Sequence, residues 1–156
     1  MTTYDGYIRD QINDDWATPL YAWEQIEQYI PTDKDIWCPF YYDGDHTLKQ
    51  LRTIIHNDED FFENDRGDIV IDNPPFSIKK QVIQRLIELD KPFILLLPVS
   101  TICYQYFPRD KGIQIIIPPK RINFRADGKS SASFDTVYVC YKVGLEKDII
   151  FLLDSI

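Results

Sequence analysis

Residues 93–97 read Phe-Ile-Leu-Leu-Leu, five apolar side chains in a row closed by Pro98. Successive side chains of a strand point to opposite faces, so both faces of this one are apolar. A strand of that kind belongs at the centre of a parallel sheet, with cover on either side. The rest of the chain supplies such a sheet. Ile36-Trp37-Cys38, Thr53-Ile54-Ile55-His56, Asp68-Ile69-Val70-Ile71 and residues 113–117, 136–143 and 149–153 are short apolar runs of strand length. Helical patterns lie between some of them. Leu20, Trp23, Ile26 and Ile30 recur at helical steps, with Thr18 as N-cap, Pro19 in the first turn and Pro31 as the stop. Ile78, Val82, Leu86 and Leu89 recur likewise behind Ser77 as cap, and residues 46–51 make a short helix. Strands alternating with helices predict an α/β fold, a three-layer α/β/α sandwich on a mostly parallel sheet. Only residues 144–148 separate the last two strands, too few for a crossover helix, so an antiparallel hairpin is expected at one edge.

A length of 156 residues fits one domain, residues 1–156, with residues 1–12 as an irregular arm. Acids outnumber bases 25 to 17, giving a net charge of −8 and excluding attachment to nucleic acid by bulk charge alone. No apolar run approaches the roughly 18 residues of a membrane span, and the first residues lack the pattern of a signal peptide. Three cysteines without a Cys-x-x-Cys pair and two histidines give no zinc pattern, so no metal is expected. The expected setting is reduced and cytoplasmic.

In open α/β sheets ligands sit beyond the carboxyl ends of the strands. The turn there after the third strand, Asn73-Pro74-Pro75-Phe76, is the most informative stretch in the chain. Proline fixes φ and removes N–H donors, so the carbonyls of Asn73 and Pro74 are free to point outward as acceptors. A carboxamide oxygen beside a main-chain carbonyl is what an exocyclic NH₂ needs to have both hydrogens held. Phe76 adds a face on which a planar ring stacks.

At these residues the chain resembles the S-adenosylmethionine-dependent N6-adenine methyltransferases, whose signature is Asp, Asn or Ser, then Pro-Pro, then an aromatic. Trp16-Ala17-Thr18-Pro19 looks like the Trp-x-Thr-Pro opening of the phage-type members, and Pro39-Phe40-Tyr41-Tyr42-Asp43-Gly44 is similar to their cofactor loop. Asp60-Phe61 looks like the pair that meets the cofactor's adenine. Arg121-Ile122-Asn123-Phe124, followed by Ser133-Phe134-Asp135-Thr136-Val137, is similar to the late loop and final strand. The likeness runs from Trp16 to about Tyr141. It implies a Rossmann-like methyltransferase fold and S-adenosyl-L-methionine as cofactor. It also implies methyl transfer to adenine N6 in nucleic acid, DNA ahead of RNA, with Asn73, Pro74, Pro75 and Phe76 as the catalytic turn. Trp16, Thr18, Pro19, Pro39, Phe40, Asp43, Gly44, Asp60 and Phe61 would hold the cofactor.

Two positions depart from that pattern. Cys38 stands where the cofactor loop begins with an acid, and His56-Asn57 where an acid meets the ribose hydroxyls, with Asp58 and Glu59 just beyond. Residues 118–130 run against the overall charge, with Lys120, Arg121, Arg125 and Lys129 against one acid, Asp127, and are candidates for phosphate contacts. The target base would be flipped out or taken from a single strand. No stretch is long enough for a target-recognition domain. Either recognition is minimal, or a partner subunit supplies it, or the acceptor is RNA or a protein glutamine. A non-catalytic binding module of the same fold is the reading from another class.

Overall fold

The computed structural model describes residues 18–40, 47–56, 59–124 and 135–154. Each of the apolar runs named above becomes a strand: β1 (Ile36–Trp37), β2 (Ile54–Ile55), β3 (Ile69–Asp72), β4 (Phe93–Pro98), β5 (Gln114–Ile117), β6 (Thr136–Tyr141) and β7 (Ile149–Phe151). They form one sheet in the order β2-β1-β3-β4-β6-β5-β7. Pairing is parallel for β1 with β2 and β3, for β3 with β4, and for β5 with β7. Both antiparallel pairings belong to β6, which lies between β4 and β5. The fold is therefore α/β on a mostly parallel seven-stranded sheet.

The described residues contain two α-helices, α1 (Leu20–Glu24) and α2 (Lys79–Glu88). Ile94 and Leu96 of β4 pack with Ala22, Trp23 and Ile26 on one face. Phe93, Leu95 and Leu97 pack with Val82, Ile83 and Leu86 of α2 on the other. The double-sided burial required by residues 93–97 is met in this way. Tyr138 of β6 ties α1 down: its hydroxyl donates to the Ala22 carbonyl at 2.5 Å and accepts from Gln25 Nε2 at 2.7 Å. None of the described helices is long and apolar enough to cross a membrane.

Four local expectations change. The helix expected to run on to Pro31 stops at Glu24, and a 3-10 turn, Glu27–Tyr29, follows. Thr18 does not cap it; Pro19 holds the cap position in extended conformation, and the Thr18 hydroxyl is engaged elsewhere. Ser77 lies inside a 3-10 turn, Phe76–Ile78, because the Ile78 N–H bonds back to the Pro75 carbonyl, so Ile78 rather than Ser77 precedes α2. The edge hairpin is replaced by a wider connection. β7 pairs with β5, not with β6, and the chain between them straddles β5. Sidestepping one strand needs only about 10 Å, well within the reach of the intervening residues. Positive φ at Lys142 and Gly144 turns the chain out of β6. Gln114, the first residue of β5, then holds the connection: its side chain donates to the Leu145 carbonyl at 2.9 Å and accepts from the Leu145 N–H at 3.0 Å. The irregular arm expected over residues 1–12 lies outside the described residues.

Candidate active site beyond the first and third strands

From β1 the sheet grows toward β2 on one side and toward β3 on the other. The strand order reverses there, and the crevice outside the carboxyl ends of β1 and β3 is the topological switch point where open α/β sheets take ligands. Cys38, Pro39 and Phe40 leave β1 at this point, and Asn73 leaves β3.

Asp72 joins the two strand ends. Its side chain is buried, with one oxygen accepting the Phe40 N–H at 2.7 Å and the other the Asn73 N–H at 2.8 Å. Main-chain donors thus meet the carboxylate on both oxygens, which is the condition for keeping such a group out of water. The arrangement fixes where both loops begin. Cys38 turns inward: its thiol donates to the Ile71 carbonyl at 3.1 Å. Burial, and then the neighbouring Asp72, push its pKa well above the usual thiol range.

Asn73 is anchored at one end only. Its Nδ2 donates to the Thr18 hydroxyl at 3.0 Å, and the Thr18 carbonyl in turn accepts from the Thr47 hydroxyl at 3.0 Å. The carboxamide oxygen Oδ1 is buried and has no hydrogen-bond partner among the described residues. A buried acceptor left this way costs about 1–3 kcal/mol, so it marks a place where a donor is missing. Pro74 and Pro75 behind it are buried, and Phe76, half-buried, starts the 3-10 turn into α2.

Thr18 and Asn73, which the resemblance would give to cofactor and substrate, are thus in direct contact. Pro19 follows Thr18 into α1, and Pro39 and Phe40 are buried at the end of β1. The Phe40 ring packs on Phe61 at 4.7 Å, and Phe61 in turn on Trp37 at 5.5 Å. Phe61 is 0% exposed, so its ring is given to the core beneath the crevice. Asp60 closes a local turn, accepting the Phe62 N–H at 2.9 Å. Glu59 is held by Arg66 through two 2.8 Å hydrogen bonds, which lower its pKa. Of the basic segment, Lys120 pairs with Asp154 at 2.9 Å and Arg121 with Asp135 at 3.0 Å. Both acids lie outside residues 118–130, so local charge counting does not see them. Trp16, Asp43, Gly44, Arg125 and Lys129 lie outside the described residues.

Sequence reasoning missed Asp72. The available signal was an acid directly after three apolar strand residues, a position where burial forces the carboxylate to find main-chain donors. Comparison with protein-family models, with curated proteins and with solved structures gives no match.

Proposed function

We propose that this chain is an S-adenosylmethionine-dependent methyltransferase acting on the N6 of adenine in nucleic acid, with DNA as the first acceptor to test. The observation that carries the reading is the buried Oδ1 of Asn73, which has no hydrogen-bond partner among the described residues, at the switch point of the sheet. An exocyclic amine is a donor of the right kind for it. The Pro74 carbonyl is the second acceptor, and two acceptors hold both N6 hydrogens and turn the nitrogen lone pair toward the methyl donor. The bond from Asn73 Nδ2 to Thr18 fixes which end of the carboxamide faces the substrate. Phe76 supplies the stacking surface for the base. The methyl group comes from the sulfonium of the cofactor, for which Thr18-Pro19, Pro39-Phe40 and Asp60 border the holding site, together with Trp16, Asp43 and Gly44. Phe61 supports that site from below, as part of its floor. Catalysis on this reading is positioning by preorganised dipoles. One helix on each face of the sheet supports the finer architecture, a three-layer Rossmann-like methyltransferase fold with thin helical layers. The setting proposed is cytoplasmic.

The test is mass spectrometry of nucleosides after incubating the protein with labelled S-adenosylmethionine and pooled DNA and RNA. Labelled N6-methyladenine is expected with the wild type. Asn73→Ala should lose on the order of 10²–10³ in rate while keeping cofactor affinity by calorimetry. Equal activity in that variant would sink the assignment. A second reading, a binding module without turnover, is favoured by one observation: Cys38, at the acid's position in the cofactor loop, points its thiol into the sheet. Absence of cofactor heat in the same calorimetry selects it.

A further inference from the structure

Two lysines open α2, Lys79 and Lys80, where the helix dipole disfavours cations. Neither forms an ion pair among the described residues. Each lies instead over an aromatic ring of the segment that follows β4. Lys79 Nζ is 5.3 Å from the centre of Tyr104, and Lys80 Nζ is 5.8 Å from the centre of Tyr106. The two rings are 5.6 Å apart and tilted by 41°. Tyr104 and Tyr106 line an open depression of about 620 Å³ together with Lys80, Gln84 and Gln105. Tyr104 is 42% exposed, and the Tyr106 hydroxyl is buried without a hydrogen-bond partner among the described residues. The cluster continues the candidate active site, since Lys79 Nζ also reaches the Phe76 carbonyl at 3.5 Å.

We infer that this lysine–tyrosine platform is a binding track for single-stranded nucleic acid leading to Phe76. Cations for phosphates beside ring faces for bases are the two components of such tracks. No acid is among the described residues that line the depression, although the whole chain carries −8. Ring faces favour a single strand over a duplex, because the bases of a duplex are stacked on one another and offer no free faces to protein rings. In the unliganded protein the ammonium groups occupy the rings; passing to phosphates, they free those faces for stacking. This inference rests on the nucleic-acid reading above for its direction toward Phe76, but its test does not need methyl transfer.

The probe is a fluorescein-labelled oligothymidylate of 12 residues, which contains no adenine, titrated by fluorescence anisotropy over a salt series. Wild type should bind. The double variant Tyr104→Ala/Tyr106→Ala should bind roughly tenfold or more weakly with the same salt slope. Tyr104→Phe/Tyr106→Phe should keep wild-type affinity, and thermal unfolding checks that all variants fold. Lys79→Gln/Lys80→Gln should lower the slope of log K against log[salt] by about 1.4, two phosphates' worth. Failure of the wild type to bind at low salt, or wild-type binding by both the alanine and glutamine variants, overturns the platform. That holds even if N6-methyladenine forms. Binding that depends on these four residues supports it, even if no methyl transfer is found and the catalytic reading falls.

Discussion

Asp72 and Asn73 are adjacent in sequence and opposite in their bonding: one has both carboxylate oxygens engaged, the other has an oxygen with no partner among the described residues. Their substitutions should separate accordingly. Asp72→Ala strands the N–H groups of Phe40 and Asn73 in a buried setting and should destabilise the protein by about 3 kcal/mol or more, measured by urea unfolding. Asn73→Ala gives up one hydrogen bond to Thr18 but also removes an unsatisfied acceptor, so its unfolding free energy should change by less than about 1 kcal/mol. A stable, inactive Asn73→Ala beside an unstable Asp72→Ala is the pattern expected if one residue serves chemistry and the other geometry. Asn73-Pro74-Pro75-Phe76 was legible in the sequence as a candidate site because it is four consecutive residues after an apolar run. The role of Asp72 was not, because one of its donors, Phe40, comes from a turn 32 residues earlier. Lys79, Lys80, Tyr104 and Tyr106 escaped for the same reason: the start of α2 and the segment after β4 must meet before they form a cluster.

At the level of elements, the strands were readable because each is a compact apolar run, and burial on both faces leaves β1, β3, β4 and β6 little else to be. Helix lengths were not. The periodicity through Ile30 is real, and Trp23, Ile26 and Ile30 are all buried, yet a 3-10 turn meets the same burial as a continued helix. Pairing partners were least visible. A short connection suggested that β6 and β7 are neighbours, whereas β5 lies between them and pairs with both. Gly67, just before β3, is a further constraint hidden in one letter. Its φ is +66°, and a Cβ there would lie 2.8 Å from the Asp35 carbonyl. That carbonyl also accepts the N–H of Asp68 at 2.7 Å and sets the start of β3. Gly67→Ala should therefore cost about 1–3 kcal/mol in equilibrium unfolding, with the loss showing as a lower denaturant midpoint at unchanged slope.

The whole molecule carries an alkaline liability. Burial raises the pKa of Cys140 to about 12, raises Cys38 well above its ordinary value and raises Tyr138 too. Free thiols ionise near pH 8.5. Above that the unfolded chain releases protons that the folded chain retains, so stability is complete below about pH 8.5 and declines as pH rises toward 12. Cys140 alone should remove about 2 kcal/mol by pH 10, and denaturant midpoints measured at pH 8, 9 and 10 should fall in that order. Midpoints that hold level across the series would mean that the thiols are not sealed in the sheet.

The insertion of β6 between two earlier strands has a consequence for how the protein comes into being. On the ribosome, β4 and β5 emerge well before the strand that joins them, and neither pairs with the other in the finished sheet. Until residues 136–141 arrive, the all-apolar β4 has an open side toward any other unpaired strand nearby. A message cut short ahead of residue 136 would yield no reduced version of the domain. It would yield a sticky fragment, and quality control rather than partial activity would decide its fate.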